Sequence, residues 1–215
     1  RVAYANIRKI TYFLISCGLA EVLFFCLSIL FNLPMPLVAI QLLWLNVVTD
    51  GIQDFSLSFE KAEKDIMKEK PRDPKESLFD KVLFQEIAVA GTTIGLLVFG
   101  LWVFLIKKVN MDVDTARGYV VALMVIIQNI HAFNVRSEKK SALSVPLKSN
   151  KIFLYGVLGS LLLGVLVMEF APLATLLKTS SIPPLHLLYL FGLGSIIFIV
   201  MECYKKIKYG NKINQ

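Results

Sequence analysis

Long apolar stretches alternate with short polar or charged stretches along all 215 residues of the chain. Six of the apolar stretches are about 20 residues long, the length of helix that crosses about 30 Å of hydrocarbon. They cover residues 11–31, 36–59, 82–106, 116–135, 152–170 and 185–203. They are too long, and alternate too little, for the strands of a membrane β-barrel. The pattern predicts an all-α polytopic membrane bundle of six transmembrane helices.

Composition and charge agree with this class. The chain is 56% hydrophobic with a mean hydropathy of +0.65, which excludes an ordinary soluble domain. Segments 1–10, 60–81, 136–151 and 204–215 contain 19 of the 23 lysine and arginine residues. Basic residues favour the cytoplasmic side, so we expect both termini there, in a multi-pass protein of a bacterial-type plasma membrane. The net charge of +7 then reflects topology, and no nucleic-acid partner is expected.

The connections between the predicted spans differ in kind. Residues 31–36, FNLPMP, predict a tight hairpin, because Pro34 and Pro36 stop helix on both sides. Residues 60–81 are long and charged, which fits either a solvated loop or a docking surface for a cytoplasmic domain. Segment 136–151 is shorter and basic, and contact with lipid headgroups explains its charge.

Small residues repeat at helical spacing in two spans and predict close helix packing rather than chemistry. They are Gly91 and Gly95 in the third span, and Gly156, Ser160 and Gly164 in the fifth. The three cysteines, Cys17, Cys26 and Cys203, all fall in apolar segments. We interpret them as packing residues, without a disulfide or metal site.

Three carboxylates, Glu21, Asp50 and Asp54, lie well inside the spans, and no lysine or arginine lies at similar depth. An isolated ionised carboxylate in hydrocarbon is costly unless it is protonated or binds a cation. The sequence therefore predicts a cation or proton site within the membrane.

The tight hairpin brings two polar residues to one depth. Glu21 precedes the turn, and Asn46 follows it, by about the same number of residues, which places both about 19 Å from the turn in regular helices. Asn46, Thr49 and Asp50 stand at i, i+3 and i+4, on one face of a helix. Asp54 continues that face one turn nearer the cytoplasm.

The VTDG sequence at 48–51 is a poor helix centre, so we expect the second span to be partly unwound near Thr49–Gly51. Freed carbonyls together with carboxylate, amide and hydroxyl oxygens suit a hard cation such as Ca²⁺ or Mg²⁺. Gln128, in the fourth span, is a possible further ligand. His131 and His186 are expected at the membrane interfaces.

Four segments together resemble a known family. QLLWLNVVTDG (41–51) and SFEKAEKDIMKEKPRDPKESL (58–78) resemble the sixth membrane helix and the following loop of type II P-type cation-transporting ATPases. YFLISCGLAEVL (12–23) resembles their fifth helix, and QNIHAFNVRSEKKS (128–141) the end of their eighth. The similarity runs over essentially the whole chain and is most specific over residues 1–85. It implies helices five to ten of a ten-helix pump.

The resemblance also implies a ligand set. Glu21, Asn46, Thr49 and Asp50 match ion-ligating positions of the sarcoplasmic-reticulum-type calcium pumps. Gly18 and Gln128 depart from that pattern, since an asparagine and a glutamate stand there in those pumps. These departures indicate one divalent ion rather than two, or another cation. Asp54 has no counterpart in those pumps and leaves the identity of the ion open.

The family's DKTG, GDGxND and PEGL motifs do not occur in the sequence. We therefore expect no catalytic residue in this chain and no ATP hydrolysis by it alone. ATP and Mg²⁺ would act only through cytoplasmic domains outside it, and its partners would be those domains, the first four membrane helices and the lipid bilayer. We expect the chain to divide into three parts. Residues 1–59 form a stalk extension and the ion-binding hairpin, and residues 60–81 form a cytoplasmic loop. Residues 82–215 form a four-helix membrane support region with a cytoplasmic tail.

The predicted function is thus the membrane cation-transport half of an ATP-driven pump, with Ca²⁺ as cargo. A pump for Mg²⁺, Na⁺ or H⁺ is one alternative. A proton- or cation-coupled secondary transporter is another, since it needs the carboxylates but no stalk. A non-catalytic membrane module is a third, but leucine would serve a purely structural helix better than these oxygens.

Overall fold

A computed structural model describes residues 1–61 and 78–210. These residues form helices and no strands, as the sequence predicts. The helices are α1 (Val2–Leu30), α2 (Ala39–Trp44), α3 (Gly51–Leu57), α4 (Lys81–Val103), α5 (Val113–Val135), α6 (Lys151–Glu169), α7 (Ala171–Leu177), α8 (Pro184–Gly194) and α9 (Ile196–Tyr209). π-Helical segments cover Leu45–Asp50, between α2 and α3, and Phe104–Lys108, after α4. Short 3₁₀ turns cover Ala142–Ser144 and Leu147–Ser149.

Five helical stretches of the described residues are long and apolar enough to cross a membrane. They are Val2–Leu30, Lys81–Lys108, Val113–Val135, Lys151–Glu169 and Pro184–Tyr209. The predicted second span, 36–59, is not among them. It is helical from 39 to 57, but in three successive segments, α2, the π-helical segment and α3, each of them short. Its polar residues set it apart from the other five, and its π-helical segment lies in its middle, whereas that of Lys81–Lys108 lies at the end.

The predicted unwinding at Thr49–Gly51 is wrong. The backbone there stays helical, widened into a π-helix through Asp50, and Gly51 has ordinary helical angles of φ −59° and ψ −40°. A π-helix keeps backbone hydrogen bonds within the chain, whereas an unwound turn leaves amide and carbonyl groups without partners in an apolar surrounding. The VTDG segment, which has poor α-helix propensity, therefore lies where the helix widens instead of unwinding.

The hairpin after α1 is slightly longer than the sequence suggests. α1 ends at Leu30, and α2 begins only at Ala39. Asn32 adopts a left-handed conformation with φ 50°, which asparagine tolerates better than most residues. The connection still reverses the chain within a few residues, so the two helices run antiparallel.

Helix α5 forms the centre of the bundle. In the most apolar 18-residue stretch of α5, 89% is buried inside the bundle, compared with 39% or less in the other four spans. The predicted small-residue contacts surround this centre. A Cβ atom at Gly91 or Gly95 of α4 would lie only 2.9 or 3.1 Å from backbone oxygens of α1, so the two glycines allow close packing. A Cβ on Gly164 of α6 would lie 3.1 Å from Val125.

Side-chain caps define where three of these helices begin. Asp80, Asp112 and Asn150 accept hydrogen bonds from backbone N–H groups in the first turns of α4, α5 and α6. Arg8 of α1 donates to Asp80 at 2.9 Å. Partial burial alone would raise the pKa of Asp80, but the hydrogen bonds from Arg8 and from the Leu83 amide outweigh it and lower that pKa.

A buried ion pair joins the end of the second span to the loop after α5. Nε of Arg136 lies 2.7 Å from Oε1 of Glu60, and both side chains are almost fully buried. The Asn150 amide donates to the same Glu60 oxygen at 3.1 Å, and Asn6 of α1 donates to the Glu60 carbonyl at 2.9 Å. This end of the bundle is therefore held by charged and polar contacts among four chain segments.

The remaining structural expectations have mixed outcomes. Cys17 is buried, as expected for a packing residue, but Cys26 and Cys203 are exposed; all three are free thiols. The loop prediction for 60–81 falls largely outside the described residues. The division into 1–59, 60–81 and 82–215 stays a prediction.

Candidate cation site

Glu21 and Asn46 meet across the hairpin, as their equal distance from the turn predicts. Nδ2 of Asn46 lies 3.0 Å from Oε2 and 3.2 Å from Oε1 of Glu21. The same amide nitrogen lies 3.0 Å from the carbonyl oxygen of Leu42, one turn earlier in α2. The amide thus holds the Glu21 carboxylate against the helix that carries the other candidate ligands.

Thr49 and Asp50 occupy the end of the π-helical segment, and both are 1% exposed. Oδ1 of Asp50 is buried without a hydrogen-bond partner among the described residues, and so is Oδ1 of Asp54. Asp50 interacts electrostatically with both Glu21 and Asp54. Asp50 therefore lies near each of the other two predicted carboxylates, Glu21 on α1 and Asp54 on α3.

Among the described residues, no ion pair compensates the charge of this group. Within residues 1–61 and 78–210, none of the three carboxylates forms an ion pair. Two buried basic residues pair with other acids: Arg136 binds Glu60, and Lys205 contacts Glu202. Unpaired carboxylates at this depth are stable when they share protons or hold a cation.

The described side chains do not form a compact metal cluster. No three histidine, cysteine, aspartate or glutamate residues among them stand close enough together to hold a metal ion. A cation bound here would therefore need neutral oxygen ligands beside the carboxylates. The Asn46 amide and the Thr49 hydroxyl are such ligands, and both suit a hard cation.

A comparison with known protein families gives the relationship. Residues 34–207 match the family model described as cation transporting ATPase, C-terminus. The chain belongs to this family. The match includes the second span with Asn46, Thr49, Asp50 and Asp54, and it ends within α9.

Relatives of this cation-transporting ATPase C-terminal region include named calcium transporters. The chain is 37% identical over 207 residues to calcium-transporting ATPase type 2C member 1 of Mus musculus, covering 95% of the chain and 22% of that protein. It is 34% identical over 197 residues to a calcium-transporting ATPase of Bacillus subtilis (strain 168), covering 91% of the chain and 22% of that protein. The chain thus spans about a fifth of the length of these relatives.

Gln128 of the ATPase region is buried on α5 at 1% exposure, and neither its amide nitrogen nor its amide oxygen has a hydrogen-bond partner in the described chain. Asn129, the next residue, is fully engaged. It accepts from Nε2 of Gln53 at 2.7 Å and donates to Oγ of Ser160 at 3.0 Å. Asn129 therefore joins α5 to α3 and α6, whereas the side-chain amide of Gln128 could still form hydrogen bonds.

Sequence reasoning missed the part played by Gln53. Gln53 follows Asn46 by seven residues and Thr49 by four, so it belongs to the same helical face. Its bond to Asn129 ties the second span to α5 one turn after Asp50. The i, i+3, i+7 spacing from Asn46 was the signal that would have found it.

The interfacial position of His131 stays a prediction, but the structure shows that its side chain is buried inside the bundle. His131 is 0% exposed and lies between α1 and α5, where its Nε2 is 2.8 Å from Oγ of Ser16. The rings of Tyr12 and Phe13 lie 5.3 and 5.8 Å from the imidazole ring. Packing of α1 on α5 buries a side chain that hydropathy alone places near the end of a span. His186, in contrast, is exposed and bonds Tyr119.

Proposed function

We propose that this chain is the membrane cation-transport part of an ATP-driven P-type pump, and that its cargo is Ca²⁺. The observation that carries the proposal is the contact of the Asn46 amide with both oxygens of Glu21, beside buried Asp50 and Thr49, with no ion pair to these carboxylates among the described residues. Calcium transport in the names of the relatives supports the choice of ion.

Four residues would ligate the cargo. Glu21 and Asp50 supply negative charge, and Asn46 and Thr49 supply neutral oxygens, a mixture that suits Ca²⁺. An N–H group of Asn46 now faces the Glu21 carboxylate, where positive charge is favourable. On binding, the amide would turn its oxygen to the cation, and the cation would replace the N–H group beside Glu21. Asp54 would stand on the cytoplasmic access path, and Gln128 would be a neutral neighbour of the site.

The continuity of α1 supports a route for coupling. α1 runs without a break for 29 residues, from Val2 past Glu21 to Leu30. A displacement of its first turns would therefore be transmitted along a stiff rod to Glu21. The phosphorylation and nucleotide-binding steps, with their ATP and Mg²⁺, would take place in domains outside this chain, and the 60–81 loop would contact them. Both termini would be cytoplasmic, in a plasma membrane of bacterial type.

The test uses the full-length pump and the Asp50→Asn variant. We expect the variant to lose calcium-dependent phosphorylation by ATP, because an amide does not neutralise a divalent ion. Val47→Leu is the matched control, since Val47 lies on the same π-helical segment but is 62% exposed. Phosphorylation by inorganic phosphate without calcium shows that the variant is folded. Near-normal calcium affinity in a folded Asp50→Asn pump would contradict the site.

A further inference from the structure

The loop between α5 and α6, residues 136–151, is fixed at three points. Arg136 at its start is buried against Glu60 and donates to Oγ of Ser149 near its end at 2.8 Å. In the middle, the backbone N–H of Ala142 donates to Oε1 of Glu202 in α9 at 2.8 Å. The loop is therefore a built surface whose outward side chains have defined positions.

Two leucines of this anchored loop point away from the protein. Leu143 lies in the first 3₁₀ turn and is 80% exposed, and Leu147 begins the second and is 53% exposed. Both turns are closed by local hydrogen bonds, including Ser144 N–H to the Ser141 carbonyl at 3.0 Å and Ser149 N–H to the Pro146 carbonyl at 3.0 Å. The fold thus holds two large apolar side chains outward at the end of the bundle.

Exposed lysines flank these leucines. Lys140 precedes Leu143 by three residues, Lys148 follows Leu147 directly, and Lys151 is the first residue of α6. Apolar side chains surrounded by basic ones are typical of surfaces that lie at the headgroup level of an anionic membrane.

The surface continues without interruption into a face of α6. Ile152, Tyr155, Leu158 and Leu162 are exposed and follow one another at helical spacing along this candidate membrane span. The leucines of the loop therefore stand near the end of an exposed apolar stripe on a helix that is long and apolar enough to cross a membrane. This continuity favours the bilayer over a soluble protein as the occupant.

We propose that the 136–151 loop is an interfacial anchor for anionic phospholipid. Leu143 and Leu147 enter the boundary between headgroups and acyl chains, and Lys140, Lys148 and Lys151 bind the phosphate groups. The proposal does not depend on which cation the site carries. It predicts that this protein prefers anionic lipid and that the 136–151 loop is responsible for the preference.

Two measurements on the full-length protein in vesicles of phosphatidylcholine and phosphatidylglycerol test the anchor. The first is quenching of Leu143→Trp fluorescence by brominated phospholipid, taken as the difference from the parent protein, which already contains Trp44 and Trp102. We expect strong quenching by lipid brominated near the headgroup. Absence of quenching would overturn the proposal and would be the result if a cytoplasmic domain covers the loop.

The second measurement is the preference of spin-labelled phosphatidylglycerol over spin-labelled phosphatidylcholine for the protein surface. In Lys140→Gln/Lys148→Gln we expect the association constant at the loop to fall by up to about fivefold per lysine at low salt, the factor that corresponds to about 1 kcal/mol. Lys107→Gln/Lys108→Gln, a pair at the opposite end of α4, is the matched control and should leave the preference unchanged. An equal preference in the loop variant and the parent, or a larger loss in the control pair, would overturn the proposal.

Discussion

The side-chain amide of Asn46 contacts both carboxylate oxygens of Glu21, at 3.0 and 3.2 Å, although the two residues are 25 positions apart in the chain. This contact links the long helix α1 to the π-helical segment that carries Thr49 and Asp50. It is the only hydrogen bond that Glu21 makes with a side chain in the part of the chain that the structure describes. The position of the Glu21 carboxylate therefore depends on Asn46.

Replacing Asn46 by leucine should weaken calcium binding in the full-length pump by about tenfold. The change removes one neutral ligand and a charge-assisted hydrogen bond that positions Glu21. The calcium dependence of phosphorylation by ATP measures the effect, and Val47→Leu, at the next position but without a ligand oxygen, should behave like the parent. Unchanged calcium affinity in Asn46→Leu would remove Asn46 from the ligand set.

The site should hold a single divalent cation. Gly18 supplies no side-chain oxygen and Gln128 no charge, and two divalent ions close together repel strongly where the dielectric constant is low. Equilibrium binding of radioactive calcium to the purified full-length pump gives the number directly, and Asp54→Asn should leave it at one. Two ions in the parent and one in Asp54→Asn would refute this stoichiometry. Activity driven by magnesium or sodium without calcium binding would retain the site and change the ion.

Gly91→Ala should destabilise the bundle by about 1–3 kcal/mol, the usual range for an overpacked contact. The new Cβ would lie 2.9 Å from the backbone oxygen of Ser16, and a backbone atom has little freedom to move away. Gly100→Ala on the same helix is the control, because nothing lies within 4 Å of its Cβ position. Thermal unfolding in detergent measures both variants. Equal midpoints for the two would show that α1 and α4 do not pack as closely as described.

Arg136→Leu should cost about 3–5 kcal/mol, because it leaves the Glu60 carboxylate buried without its partner. The double variant Glu60→Leu/Arg136→Leu should recover part of this loss, since no charge then remains buried. Asp114→Asn breaks the surface pair with Arg117, and it should cost less than about 1 kcal/mol. The same unfolding assay ranks the variants. A double variant less stable than Arg136→Leu would argue against charge burial as the cause.

Much of the site was predictable because it depends on distances along the chain. Helical rise is constant, and a tight hairpin aligns two antiparallel helices, so residues equally far from the turn meet. That reasoning placed Glu21 opposite Asn46, and the structure confirms it. The GxxxG contact of α4 was predictable for a similar reason, since small residues at that spacing allow close approach.

The sequence by itself therefore determined the helical class, the positions of five of the six predicted spans, and the meeting of Glu21 with Asn46 across the hairpin. Only the tertiary structure decided the burial of His131 against Ser16 and the pairing of Glu60 with Arg136. It likewise decided that Asn129 bonds neighbouring helices whereas the adjacent Gln128 has no hydrogen-bond partner among the described residues. It also decided that the VTDG segment widens into a π-helix instead of unwinding. The reason is physical. The distance of a residue from a turn follows from helix geometry that repeats residue by residue. The partner of a side chain depends instead on which helices pack together and on how each is rotated about its axis.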